Sequence, residues 1–451
     1  MGFLRETLFQ WRAVALLGAA LFVRLALAPF PGFVDDTTNM VQYVRAAGHE
    51  GFLAVDQNLV SGERYPALFI YHTFLLGVLT GKHFQSPEGR NAAGGDAVES
   101  SLFERMSLRA IPIAYDLLTG AALLVFLSFF ISRSAGEWGA AIYLFNPGTI
   151  MNAALWNYEA MPSFYILLAV IFCGMAIDDG RPVFWDLTWL VTALAFCSKL
   201  QAGMLVPVIG LLALLSRRLN LTVLTRNVGI FIIVLVLAYA PFLIGEQWDY
   251  LRRLFVVSFQ SYATTHVNGY NLWALWFQLP ADRRVLGVTL ESWGRLFYLA
   301  ALLWLAWQVW KQTVSQSAGL DAFRRVMIVA AYGCLAPFML LTRMHERYLA
   351  YAIPACILAA MLDRRLRALM WGVSITYALN LLIVLLDFRK PWAVFSPGET
   401  MLQSIHVSFC VVRFFCSLLN VGLFVWLTFN LPQLLAQTRI AVQPEAFKTR
   451  S

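Results

Sequence analysis

Tyr65 to Thr80 reads Y-P-A-L-F-I-Y-H-T-F-L-L-G-V-L-T. The stretch is apolar, but it is 16 residues long and contains Pro66 and His72. A helix crossing the ~30 Å hydrocarbon core of a bilayer needs about 20 apolar residues. This segment therefore either spans under strain or lies along the interface. The choice sets the side of every loop that follows it.

The rest of the chain leaves no doubt that a membrane is involved. Of its 451 residues 59% are hydrophobic and only 13% charged, whereas a soluble domain is about 45–50% apolar and about 25% charged. Apolar runs of spanning length recur near 12–30, 109–131, 137–153, 161–177, 183–199, 200–216, 227–245, 292–310, 326–342, 348–362, 367–386 and 406–430. No series of ~10-residue alternating segments marks a β-barrel, so helices must satisfy the backbone within lipid. The expected fold class is an all-α polytopic membrane protein of about 12 transmembrane helices. It forms a single membrane domain over 1–451. A long first outer loop, 31–108, carries juxtamembrane helices, and a second large outer loop covers about 246–291.

Leaving 65–80 at the interface puts both termini in the cytosol. Arg133, Arg181, Arg217, Arg218, Arg226, Lys311, Arg324, Arg325, Arg364, Arg365, Arg367, Lys448 and Arg450 then fall inside, as the positive-inside rule asks. Arg252, Arg253, Arg283 and Arg284 fall outside, so the charge count alone does not decide. A second argument is stronger. With 65–80 at the interface, five polar constellations share one face: F-V-D-D-T (33–37), L-W-N-Y-E-A-M-P (155–162), S-K-L-Q (198–201), V-N-G-Y-N-L-W (267–273) and R-M-H-E-R-Y (343–348). Within the first loop, 37–49 is amphipathic and suits a surface helix. Residues 81–104 are rich in Gly, Asn and Ser and read as a mobile loop.

Each constellation has a bland reading beside a chemical one. Asp35 and Asp36 follow the first span; they are either loop charge and a helix cap or a carboxyl pair in which one member holds its proton more tightly. Glu159 is either a helix N-terminal carboxylate or an acid facing a cavity. Lys199, with Gln201 beside it, is either a snorkelling lysine or a point charge for a phosphate. Asn268, Tyr270, Asn271 and Trp273 suit an interfacial aromatic belt or the wall of a sugar or head-group site. The segment from Arg343 to Tyr348 points most clearly to function, because clustered ionisable groups at a membrane mouth are functional by default. Arginine also offers a planar donor fork to phosphate. On a helix, Arg343 and Arg347 would share a face at i,i+4, with His345 and Glu346 elsewhere.

Several classes are disfavoured. There is no G-x-x-x-x-G-K-[ST], G-x-S-x-G, H-E-x-x-H or C-x-x-C, which argues against an ATPase, a serine hydrolase, a zincin and a thiol redox enzyme. The six cysteines lie in apolar runs without metal-ligand spacing and read as small hydrophobes. The net charge of +8 is spread over short loops and suits lipid head groups, not nucleic acid. The N-terminal M-G-F-L-R-E-T-L-F-Q-W-R runs into its apolar stretch without a cleavage site and reads as a first transmembrane helix. The sequon at Asn220 falls on the cytosolic side in this topology.

These motifs, taken in order from Asp36 to Pro354, resemble the GT-C superfamily of integral-membrane glycosyltransferases. E-R-Y-P-A-L-F-I-Y-H resembles the region after its first acidic loop. N-P-G-T-I-M-N-A-A-L-W-N-Y-E-A-M-P resembles its N-P…W/Y-acid segment, and C-S-K-L-Q-A-G-M-L-V-P its K-x-Q-A-x-x-x-x-P element. V-N-G-Y-N-L-W-A-L and T-R-M-H-E-R-Y-L resemble stretches of bacterial relatives of GPI mannosyltransferases and of dolichyl-phosphate-sugar-dependent mannosyl- and glucosyltransferases. R-M-H-E-R-Y is the most specific of these. The resemblance implies transfer of a monosaccharide, mannose or another hexose, from a polyprenyl-phosphate donor to an acceptor glycan or lipid on the outer or lumenal face. It implies inversion, with an Asp of the first outer loop as base: Asp36 first, Asp35 second. Arg343, His345, Arg347 and Lys199 would hold the donor phosphate. Glu159, Gln201, Asn268, Tyr270, Asn271, Trp273, Glu346 and Tyr65 would bind or orient substrate. No cofactor is required by the residues; a divalent metal stays open, since superfamily members differ in using one. The expected location is a bacterial inner membrane with the site facing outward, or the endoplasmic reticulum if the source is eukaryotic. The rival reading is a transporter or lipid flippase, in which the polar cluster would be a substrate or proton-relay site.

Overall fold

The computed structural model describes residues 2–30, 32–53, 65–80, 101–155, 158–216, 221–256, 258, 262–276, 278–314, 317–389 and 399–436; the side chains of 2–9, 34, 35, 38, 388, 389 and 399–407 are outside the description. The loop expected over 81–104 and the sequon at Asn220 fall largely or wholly outside these residues. The described residues are mostly helical. In order come α1 (Gly2–Leu27), α2 (Val34–Glu50), α3 (Ala67–Thr80), α4 (Leu102–Phe130), α5 (Arg133–Leu144), α6 (Pro147–Leu155), α7 (Ala160–Asp179), α8 (Pro182–Ser198), α9 (Val206–Leu214) and α10 (Leu221–Ile244). Then follow α11 (Trp248–Phe255), α12 (Leu290–Lys311), α13 (Gly319–Leu340), α14 (Ala352–Leu362), α15 (Arg367–Arg389) and α16 (Glu399–Leu435). Two short pairings complete it: β1 (His266–Val267) runs parallel to β4 (Met344–His345), and β2 (Arg284–Val285) is antiparallel to β3 (Val288–Thr289).

Seven described helices are long and apolar enough to cross a membrane: stretches of α1, α4, α7, α10, α13, α15 and α16. By that measure the expected count of twelve is not reached, because several expected spans are short or broken. The run 137–153 is two helices, α5 and α6. Proline cannot donate the next helical hydrogen bond, so the chain breaks before Pro147, and the Asn146 side chain accepts from Gly148 N at 2.8 Å. The freed Leu144 carbonyl accepts instead from Arg24 Nη2 at 2.9 Å. Arg24 also donates through Nε to Asp116 Oδ2 at 2.6 Å, and Tyr143 donates to Asp116 Oδ1 at 2.8 Å. A fully buried ion pair is tolerated in this setting only because its remaining polar atoms are satisfied.

Helix α13 forms the centre. Nearly every residue from Ala322 to Met339 is buried, between α7, α14, α12 and α16. The outer helices show the opposite character: Ile232, Ile233, Val236 and Leu237 of α10 are all exposed, as lipid contact requires. Helix α3 rises about 21 Å over its 14 residues, short of the ~30 Å hydrocarbon core. It lies along α2, with Gly77 against Val44, Ala47 and Gly48. Asp36 and Glu159 both reach Arg347, so the chain that leaves the cluster at Asp36 returns to it at Glu159. Among the described helices between them, α4 is long and apolar enough to cross a membrane; α3, α5 and α6 are each shorter.

Candidate active site

The turn from α1 into α2 sets Asp36 in place. Gly32 adopts φ +63°, and a Cβ there would stand 1.9 Å from the Leu155 carbonyl oxygen and 2.6 Å from Arg109 Nη2. Only glycine allows both the left-handed backbone and the close approach. Phe33 N then donates to Leu155 O at 3.1 Å, fixing the turn to the end of α6. Arg109 of α4 donates to Ala28 O at 2.6 Å and to Phe30 O at 2.5 Å. Asp36 therefore enters the first turn of α2, where the helix dipole favours a carboxylate, and its side chain is buried. The side chain of Asp35 lies outside the described residues.

Four other segments converge on Asp36. Arg347 Nη1 lies 3.1 Å from Asp36 Oδ2 and 3.3 Å from Glu346 Oε1, while its Nε lies 3.3 Å from Glu159 Oε1. Lys199 Nζ is 3.0 Å from the same Glu159 oxygen. The other Glu159 oxygen accepts a short hydrogen bond from the Tyr351 hydroxyl. Lys199 is held by an extended backbone between α8 and the 3₁₀ turn Leu200–Leu205. Its ammonium sits 4.8 Å above the Tyr65 ring, a cation–π contact. Trp156 and Asn157 of the L-W-N-Y-E-A-M-P stretch are outside the described residues.

The segment from Arg343 to Tyr348 is not an α-helix, contrary to the i,i+4 expectation. Helix α13 ends at Leu340, and Arg343 has φ +64°. Arg343 N donates to Thr265 O at 2.9 Å, and Met344–His345 pair with His266–Val267 as strands. A 3₁₀ turn, Glu346–Tyr351, follows. The two arginines diverge as a result. Arg347 enters the cluster, whereas Arg343 Nη2 pairs with Glu291 Oε2 of α12 at 2.8 Å. His345 lies against the Tyr262 ring at 4.5 Å and the Tyr348 ring at 5.2 Å. Its Nδ1 is 3.8 Å from Glu346 Oε2, and its Nε2 is buried with no hydrogen-bond partner among the described residues.

The remaining sequence candidates divide. Tyr65 lies under Lys199, and Gln201 lines a small cavity with Met344, Tyr348 and Tyr351. Asn268 is bridged to His345 through the backbone. Asn271 and Trp273 are turned elsewhere and bind the end of α13: Asn271 Nδ2 donates to Phe338 O at 3.0 Å and Trp273 Nε1 to Leu340 O at 2.8 Å. Tyr270 faces the seam between α15 and α16. Tyr351, Tyr262, Glu291 and Arg109 were not singled out from sequence. Tyr351 lies beyond the charged stretch, and Arg109 sits inside an apolar run where an ionisable residue is itself the signal.

Three carboxylates, Asp36, Glu159 and Glu346, thus face the two cationic side chains Lys199 and Arg347. Burial raises the Asp36 pKa, and this outweighs the opposing pull of Arg347 and Lys199. Burial also acts on Glu159 and Glu346, yet both end lower than usual. Lys199 and Arg347 hold Glu159 down, and the neighbouring His345 and Arg347 hold Glu346 down. The environments push the acids apart, Asp36 upward and Glu159 and Glu346 downward, a pattern found where acid and base roles are divided. Among the described residues, no three His, Cys, Asp or Glu side chains are grouped to hold a metal ion.

No family model matches the chain, and neither does any curated protein. Among solved structures it is similar to ArnT from Cupriavidus metallidurans, whose crystal structure is bound to undecaprenyl phosphate. The two are 14% identical with a TM-score of 0.51, over 93% of this chain and 77% of that one. The GT-C-like fold expected from the sequence is therefore the fold the chain has, similar to that of ArnT.

Proposed function

We propose that the chain is a membrane glycosyltransferase that moves a hexose, mannose being the first candidate, from a polyprenyl-phosphate donor to an acceptor glycan or lipid. The observation that carries this reading is the buried Asp36 carboxylate, raised in pKa and aimed by Arg347 at 3.1 Å, in a chain with the fold of a protein that binds undecaprenyl phosphate. An acceptor hydroxyl attacks the anomeric carbon as the bond from that carbon to the phosphate oxygen breaks. The electron pair leaves on the phosphate, the hydroxyl proton passes to Asp36, and the anomeric configuration inverts. A raised pKa makes Asp36 a stronger base at neutral pH.

The leaving phosphate needs positive charge or donors preorganised around it. Arg347 is already shared among three carboxylates, which suits it to aim them. Lys199 retains spare N–H donors beyond Glu159, its one carboxylate partner among the described residues, and the His345 Nε2 is unengaged among them as well. These two are the proposed phosphate contacts. Arg343, paired with Glu291, stands apart in this reading. The site faces outward from a bacterial inner membrane, or into the lumen in a eukaryote, where lipid-linked sugars and no nucleotides would be on hand.

The test is transfer of radiolabelled sugar by purified protein, from a panel of polyprenyl-phosphate hexoses, with the anomeric configuration of the product read by NMR and with chelator present or absent. Asp36→Asn should lower transfer by about 10²–10⁴-fold with normal expression. Full activity in that variant would sink the base assignment. Failure of every polyprenyl-phosphate donor would sink the whole reading.

A further inference from the structure

Away from the cluster, the loop Asn268–Asn271 is held by two asparagines on separate helices. Asn380 of α15 accepts from Tyr270 N at 3.2 Å and donates to Asn268 O at 2.8 Å. Asn420 of α16 donates to Tyr270 O at 2.8 Å and is itself held by Thr376 at 2.6 Å. This frame fixes one wall of a pocket at the α15–α16 seam, lined by Asn268, Tyr270, Asp387, Cys410 and Arg413 among others. Tyr270 is 1% exposed, and its hydroxyl has no hydrogen-bond partner among the described residues. An unmade hydrogen bond of this kind costs about 1–3 kcal/mol, which a polar group bound in the pocket would recover.

Arg413 lies on the stretch of α16 able to cross a membrane. Its one described side-chain contact is to Cys410 Sγ at 3.7 Å, and no carboxylate is paired with it among the described residues. A guanidinium at an apolar helix seam is costly unless it meets an anion. A snorkelling arginine alone would account for Arg413 but not for the orphaned Tyr270 hydroxyl. Asp387, exposed on α15, lines the same pocket and would repel a simple anion. His266 nearby stays neutral: burial first, then Arg413, pushes its pKa to about 4.

We propose that this pocket binds a lipid head group that carries a phosphate together with an ammonium or hydroxyl donor. Arg413 and Tyr270 hold the phosphate, Asp387 accepts from the donor, and the tails lie along the seam between α15 and α16. Through Asn268, which is bridged to His345, the bound head group braces the strand beside the charged cluster. The proposal is independent of glycosyl transfer.

Native mass spectrometry of delipidated protein, supplied with phosphatidylethanolamine, phosphatidylglycerol or phosphatidylcholine, tests it. Wild type should retain the first two in preference to phosphatidylcholine, which has no donor. Arg413→Gln and Tyr270→Phe should each cut retention by about tenfold or more, as loss of one buried or charge-assisted hydrogen bond does. Asp387→Asn should erase the preference for ethanolamine over choline. Arg295→Gln, which alters an exposed cation on α12, should change nothing. Tyr270→Phe removes one oxygen only, and an unchanged unfolding midpoint shows that the fold survives. Unaltered retention in the Arg413 and Tyr270 variants overturns the proposal, as does an equal loss in Arg295→Gln. Displacement of the lipid by millimolar inorganic phosphate overturns the lipid assignment in favour of a free-phosphate site.

Discussion

Arg347→Met removes the guanidinium that Asp36, Glu159 and Glu346 share at 3.1, 3.3 and 3.3 Å. At an effective dielectric of ~20 each contact is worth about 5 kcal/mol before desolvation. Burying the ions offsets most of that, and the net cost of breaking such a network is about 3–5 kcal/mol. The loss is uneven. Glu159 keeps Lys199 at 3.0 Å and the Tyr351 hydroxyl, and Glu346 keeps His345 at 3.8 Å. Asp36 keeps no other ion pair among the described residues and should take up a proton. A carboxyl whose folded pKa lies above its unfolded value destabilises the fold once pH exceeds the unfolded value, and the deficit is recovered as pH falls. In the wild type, Glu159 and Glu346 behave oppositely. Their depressed pKa values give stability above their unfolded values that is lost as pH falls through the folded ones. The gap between wild type and Arg347→Met should therefore be widest at neutral pH and close as pH falls toward about 5. Unfolding midpoints in detergent should show a deficit of several degrees at neutral pH. An unchanged midpoint there, or a gap that widens on acidification, would refute the electrostatic account of the cluster.

Three further outcomes are expected. Gly32→Ala should cost about 1–2 kcal/mol for the left-handed backbone and force the Leu155 carbonyl away; kcat/KM for transfer should fall about a hundredfold, the effect of an ångström-scale misplacement, measured on protein that still purifies. Asp116→Asn should leave Arg24 buried without its anion and destabilise by about 3–5 kcal/mol, while transfer per folded molecule stays near wild type; the double variant Arg24→Met, Asp116→Leu should regain most of the stability, as read by thermal unfolding. Tyr351→Phe removes a hydrogen bond that helps keep the Glu159 pKa low. The stability held by ionised Glu159 should then be lost at a higher pH on acidification, and the acid limb of the pH–activity profile should move upward by the same measure.

Much of the charged cluster could be read without a structure because the membrane simplifies the inference. Ionisable residues in apolar surroundings are few, so Asp36, Glu159, Lys199, Glu346 and Arg347 stood out by type and position, and the structure brings their side chains together. What failed was local geometry. R-M-H-E-R-Y reads as a helix face if spacing alone is consulted, but pairing with β1 makes it a strand and a 3₁₀ turn, which sends Arg343 to Glu291 and Arg347 to Asp36. Nothing in the spacing of Asn271 and Trp273 distinguishes a sugar-binding wall from the cap on α13 that they form. Their partners are carbonyls some 67 residues away.

The sequence by itself determined that this chain is a helical membrane protein with a charged face, because the cost of exposing backbone and charge to lipid is written in composition and run length. It also narrowed the acidic pair to two adjacent positions. Only the tertiary structure decided what gathers round Asp36. Spacing along the chain does not say which distant side chain a buried carboxylate meets, and the contact between residues 311 positions apart, Asp36 and Arg347, is made by the way the helices pack.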